Sequence, residues 1–432
     1  MEKDLDGHFE KVVLAGGIRV VAERMTSVKS VSIGLWVNVG SRDEDPGDHG
    51  ISHFLEHMFF KGTQSRTAQE IAREIDAIGG ELNAFTSRET TTFYAKVLDE
   101  HLPKAVEILS DNFHHSTFEP KEIERERQVV MEEIKMIEDD PEDLIHDLYT
   151  EEVWKGNPLG RTIVGTPESI GEISRRKILR FLSQRYHPKE IVISVAGNFD
   201  PDSLFALLER AFGGFSGKEA EIRPREGPKF LPSLTIRRRK LEQVHLCLGT
   251  GGLHHAHPDR YGLYVLNTVL GGSVSSRLFQ EIRERRGLAY SIYSYPSSYQ
   301  DSGLFTVYAA TSRKNFPKVV GLIHKEFKKL REKGVDTLEL QKAKNHIKGS
   351  LMLSMESTSS RMSKLAKEEL YFGRHFSLEE ILSEIEKVNG QVQGLAEELF
   401  RPSHFCLAAL GNVTRRDLTD PAAALFERPA RR

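Results

Sequence analysis

His53-Phe54-Leu55-Glu56-His57 sets two imidazoles four residues apart with a carboxylate beside the second. On a helix running from Ile51 to Phe60, positions i and i+4 share a face, so both rings can reach one metal ion. Glu56 leans toward the same side. A zinc ion held by two histidines, next to a carboxylate that does not ligate it, has the parts to make hydroxide near neutral pH and attack a carbonyl, which is the chemistry of peptide hydrolysis. With 17 histidines in 432 residues, chance supplies an i,i+4 pair about 0.7 times; a glutamate at one set position lowers that to about 0.07. Phe54, Leu55, Met58, Phe59 and Phe60 make the segment a buried or cleft-lining helix. Polar groups in that setting cost desolvation energy unless something satisfies them, and a metal would.

Two histidines leave a zinc site incomplete. The charged, helix-favouring run from Lys121 to Asp140 offers the best candidates for a third ligand. With Ile123 at zero and about 100° per residue, Val130, Ile134 and Ile137 cluster within about 40° as a core stripe. Glu126 and Glu133 fall together at about −60° to −80°, on the border of that stripe, while Glu132 points to solvent. Two carboxylates seven residues apart on such a border suit one ligand and one partner behind a ligand, and wheel geometry does not choose between them.

These helices need a framework, and the chain reads as two repeats. Ile191–Gly197 followed by Asn198 resembles Phe405–Gly411 followed by Asn412: each is an apolar strand ending in a Gly-Asn turn. Residues 216–232, rich in glycine, proline and charge, read as a linker between domains 1–215 and 233–432. Each half opens with strands (Ile18–Ala22 and Val31–Val39; Leu234–Arg239 and Val244–Gly249) before its helices. That pattern predicts an α+β fold in which helices pack on one side of a mainly antiparallel sheet. The second-half counterpart of the histidine helix, Tyr261–Leu270, holds no histidine and no acid, so one half is chemical and the other contributes something else.

The formal charge of −3 provides no basic field for nucleic acid, and no apolar run reaches membrane-spanning length. The acidic first residues lack the features of a secretory signal or transit peptide, so a cytoplasmic protein is expected. Cys247 and Cys406 lie in apolar strand-like segments and read as buried thiols. His254-His255-Ala256-His257, just before Pro258-Asp259, reads as a surface loop ahead of a helix.

Taken together, these residues resemble the inverzincin peptidases, the pitrilysin and mitochondrial-processing-peptidase family with its inverted H-x-x-E-H motif, and most of all its short bacterial members similar to the processing peptidase beta subunit. The likeness runs through Gly50–Thr63, Gly79–Glu89, Glu124–Glu133 and a second-half signature, Gly271–Tyr290. It implies two homologous domains forming a half clamshell. It implies one Zn²⁺ per chain held by His53, His57 and Glu133, with Glu56 as general base and Glu126 in a supporting catalytic role. Asn83 and Ala84 would contact substrate backbone on an exposed strand edge. Arg283 and Tyr290 would hold substrate and donate to the oxyanion. The resemblance further implies a homodimer in which those two residues act on the partner's zinc, and peptides or unfolded segments as substrates. Two other readings stay open: a catalytically silent peptide-binding or assembly subunit, and an active subunit that needs a different partner chain.

Overall fold

In the computed structural model the described residues are 8–216 and 224–418; residues 217–223 of the expected linker and both chain ends lie outside them. The first half runs β1 (His8–Val13), β2 (Arg19–Arg24), β3 (Ser30–Val37), α1 (Ile51–Met58) and α2 (Ala68–Ala77). It continues through β4 (Glu81–Thr86), β5 (Thr91–Leu98), α3 (Leu102–His115), α4 (Pro120–Asp139) and α5 (Pro141–Val153). It closes with α6 (Pro167–Gly171), α7 (Arg175–Arg185), β6 (Ile191–Gly197) and α8 (Pro201–Phe212). The second half runs β7 (Leu234–Arg238), β8 (Val244–Gly251), α9 (Arg260–Leu270), a π-helical stretch at Phe279–Glu284, β9 (Ala289–Ser298) and β10 (Gly303–Thr311). Then come α10 (Phe316–Lys333), α11 (Thr337–Ser354), α12 (Thr358–Phe372), α13 (Leu378–Lys387), α14 (Gln391–Leu399) and β11 (Cys406–Gly411).

One sheet has the order β1-β2-β6-β3-β5-β4 and the other β7-β11-β8-β10-β9. Each contains a single parallel pair, β2 with β6 and β7 with β11, among antiparallel neighbours. The α+β, mainly antiparallel expectation therefore holds for both. Its boundaries need revision, because the compact units are not the two halves of the chain. Among the described residues, one unit comprises 8–136, 161–216, 224 and 352–378; the other comprises 137–160, 225–351 and 379–418. Each repeat gives one helix to the other repeat's sheet.

Packing shows why. In the first unit Trp36, Val21, Val192 and Ala196 on one sheet face bury against Met362, Leu365 and Ala366 of α12. The Ser32 and Thr358 hydroxyls meet at 2.8 Å, and a Cβ on Gly34 would stand 2.9 Å from the Met362 sulfur. In the second unit Cys247, Tyr308, Ala310 and Ala408 bury against Ile145, Tyr149 and Val153 of α5. The opposite face, with Leu246, Leu248, Val307 and Leu407, packs on α9, α10 and α14. Both faces of each sheet are thus covered, not one. The strands carry the signature of this: all seven residues of β6, Ile-Val-Ile-Ser-Val-Ala-Gly, are buried, where a one-sided sheet would alternate apolar and polar.

Cys247 and Cys406 are both free and buried. Among the described residues, no helix is long and apolar enough to cross a membrane.

Candidate metal centre

α1 is short and its position is fixed from outside. Gly50 at its start has φ +86°, and a Cβ there would lie 2.8 Å from the Gly165 Cα and the Val164 carbonyl, so the turn requires glycine. The orphan N–H groups of the first turn find no neighbouring cap. Instead the Glu44 carboxyl accepts from the backbone N–H of Gly50 and of Ser52, both at 2.8 Å. Burial pushes the Glu44 carboxyl up to about 8 in spite of those bonds. Ile51, Phe54 and Met58 anchor the helix in the core, and the Thr86 hydroxyl at the end of β4 donates to the Ser52 carbonyl at 3.4 Å. α1 therefore lies beside β4, the edge strand of its sheet.

α4 presents the second set of groups. Ile123, Val130 and Ile134 are buried as the wheel predicts, with Glu126 buried beside them. Glu133 reaches the histidines: the His53 Nε2, the His57 Nε2 and the Glu133 carboxylate lie within 4.8 Å of one another. The individual separations are 3.2 Å between the two nitrogens, 3.5 Å from His53 Nε2 to Glu133 Oε1 and 3.4 Å from His57 Nε2 to Glu133 Oε2. Ligand atoms about 2.0–2.1 Å from a tetrahedral zinc stand about 3.3 Å apart, so the three groups fit that ion. The chemistry of the set agrees. Three groups that accept once the imidazoles are neutral converge on one point, and an arrangement of that kind calls for a cation. Burial would lower the His57 imidazole, but the Glu126 and Glu133 carboxylates outweigh it and push it up to about 9. The His53 and His57 rings beside it hold the Glu133 carboxyl well below the usual range.

Glu126 stands behind His57, its Oε1 2.8 Å from Nδ1, and its Oε2 is 2.6 Å from the Lys61 ammonium. Burial would raise this carboxyl, but bonds to His57 and Lys61 hold it low. It orients a ring and does not face the convergence point. His53 has no such support, since its Nδ1 is buried without a hydrogen-bond partner. One oxygen of Glu56 is likewise buried and unpartnered. Asn83 and Ala84 lie on the β4 edge, where the Asn83 side-chain oxygen accepts from the Ala84 N–H at 2.8 Å.

In the second unit Arg283 and Tyr290 come together across Gly287, whose φ is +58°. The guanidinium sits 4.9 Å from the Tyr290 ring centre and 4.7 Å from that of Phe279, and Tyr290 is 78% exposed. His254–His257 is a loop, as expected; the His257 Nδ1 accepts from the Asp259 N–H at the start of α9. Two contributors escape the sequence reading. Lys61 continues the His53–His57 face by a further four residues, a signal available but easily read as a solvated lysine. Glu44 acts from a loop six residues before Gly50, and no local pattern marks it.

The model of the family described as Insulinase (Peptidase family M16) matches residues 19–167, and that of the Peptidase M16 inactive domain matches residues 172–347. The uncharacterized zinc protease YmxG of Bacillus subtilis is 47% identical over 393 residues, covering 91% of this chain and 96% of that protein. An uncharacterized zinc protease of Streptomyces coelicolor is 38% identical, covering 96% of this chain and 93% of its own. Among solved structures, a protease from Helicobacter pylori matches with a TM-score of 0.87 at 23% identity, covering 94% of this chain and all of that one. At that identity the likeness shows the fold alone.

Proposed function

The chain belongs to the insulinase-type peptidase family M16, and from that premise we propose that it is a zinc-dependent endopeptidase of the bacterial cytoplasm, cleaving peptides and unfolded segments. The observation that carries this reading is the convergence of His53, His57 and Glu133 on one point beside a buried, unpartnered oxygen of Glu56. His53, His57 and Glu133 would hold one zinc ion. When bound, zinc supplies a Lewis acid that acidifies water and polarises the scissile carbonyl.

The remaining work falls to side chains. Glu56 takes the proton of the attacking water and returns it to the leaving amine. Glu126 fixes the His57 ring through Nδ1, so that Nε2 faces inward. The β4 edge pairs with an extended peptide, with Asn83 and Ala84 at the contact; backbone pairing of this kind tolerates many side chains. Arg283 and Tyr290 donate to the oxyanion, and in this reading they serve the zinc site of the partner in a homodimer.

Glu56→Gln tests the base. Cleavage of an unstructured peptide library should fall by about 10³-fold while zinc content stays unchanged. Full activity in that variant would remove Glu56 as the base. Action in trans is tested with a heterodimer joining a Glu56→Gln chain to an Arg283→Ala chain. One competent site should be restored, and no recovery refutes the shared site.

A further inference from the structure

α1 has a second face. Leu55 and Phe59 point away from the histidines and wall a cavity of about 450 Å³, closed by Phe93 of β5, Phe113 of α3, Phe118 and Leu182 of α7. The cavity opens to solvent past Leu179, Ser183 and Ser216, and its volume lies within the range of small-molecule sites. Phe118 has φ +48°, the single non-glycine residue with positive φ among the described residues. That conformation costs roughly 1–3 kcal/mol, and such strain clusters at ligand sites.

The polar atoms of the lining identify the ligand. Asn112 is 1% exposed, and neither its amide nitrogen nor its amide oxygen has a hydrogen-bond partner. The His187 Nε2 lies 3.0 Å from the Gln184 carbonyl, so it carries the proton and donates there. Its Nδ1 is then a bare acceptor, buried and unpartnered. The cavity thus offers one carboxamide that donates and accepts, and one imidazole nitrogen that accepts, together with the buried Tyr186 hydroxyl; the Ser183 and Ser216 hydroxyls stand at exposed positions. Among the described residues, no lysine, arginine, aspartate or glutamate lines it. A charged ligand would be buried without a counter-ion, at a cost well above that of an unpaired neutral group.

We infer that this cavity binds a small neutral amphiphile: an aromatic or short alkyl body among the phenylalanines, with a primary amide or hydroxyl head on Asn112 and His187. The inference stands apart from the peptidase reading and needs no metal.

Calorimetric titration of the full chain with 4-propylbenzamide and with 4-propylbenzoate tests it. The amide should bind one to one, and the carboxylate at least about tenfold more weakly. Asn112→Leu should weaken the amide about tenfold while leaving the thermal midpoint unchanged or raised, because an unpaired buried amide is replaced by an apolar group of similar shape. Ser183→Trp, at an exposed position on the rim, should abolish binding. Should Asn112→Leu fail to fold, Ser183→Trp decides alone. The inference is overturned if the amide fails to bind up to its solubility, if the carboxylate binds equally well, or if a folded variant binds as the wild type does.

Discussion

Each unit of this protein holds a cluster of partly buried polar side chains, and the two clusters are built on opposite principles. In the second unit the Tyr295 hydroxyl donates to His146 Nδ1 at 2.6 Å. The Tyr293 hydroxyl donates to Glu142 at 2.9 Å and lies 3.3 Å from His146 Nε2. Donors meet acceptors, and the network closes on itself. In the first unit two imidazole nitrogens and a carboxylate, all able to accept, face one another, and atoms of His53 and Glu56 lack partners. Its repeat counterpart α9 shows what the same position looks like without chemistry: Leu263, Val265, Leu266, Val269 and Leu270 are all buried. A closed network stabilises; an open one waits for a cation.

The largest expected effect tests that distinction directly. Glu133→Gln removes the anionic member of the open set. Zinc content after dialysis should drop below about one-tenth of the wild-type level, and peptide hydrolysis should fall by more than about 10³-fold. His146→Phe in the closed set should leave zinc content untouched while costing about 1–3 kcal/mol of stability through the stranded Tyr295 hydroxyl. If His146→Phe lost zinc as well, the two clusters would not be separable in function.

Stability effects come next, at the exchanged helices. Leu365→Ala on α12 and Ile145→Ala on α5 each open a cavity under a fully covered sheet face, and each should cost about 2–5 kcal/mol by denaturant unfolding. Two losses of similar size would support equal dependence of both sheets on the borrowed helix. A negligible loss at either site would show that helix to be a loose cover. The exchange was not readable in advance. An amphipathic stripe on a helix says that one face is buried, but it does not say which sheet buries it. The two-sided coverage was readable, because β6 and β11 are continuous apolar runs. The wheel through Ile123 found the Glu126–Glu133 edge for the same reason, since helical period fixes faces within one element. The cavity behind α1 was not legible, because its phenylalanines look like any core.

A smaller effect probes what the second unit contributes. Tyr290 is exposed and stacked on Arg283. Arg283→Ala and Tyr290→Phe should each lower kcat by roughly 10²-fold with zinc content unchanged, the size expected for one lost oxyanion donor. A rise in KM alone would assign them to substrate binding only, and unchanged kinetics would leave the second unit without a part in the chemistry.

The smallest expected effect lies in the asymmetry within the open cluster itself. His57 is backed by Glu126 and, through it, Lys61, whereas His53 Nδ1 has no partner. Lys61→Met removes the cation that helps keep Glu126 ionised, and with it part of the pull on the His57 Nδ1–H that makes Nε2 a better donor to a metal. Outer partners of this kind change metal affinity by about 10- to 100-fold, and the low end is expected here because Glu126 itself remains. Competition with a chelator of known affinity would measure it. Lys61→Arg should recover most of the loss, since a guanidinium also pairs with the carboxylate. Equal zinc affinity in wild type and Lys61→Met would mean that Glu126 orients the ring unaided and that Lys61 serves only to neutralise a buried acid.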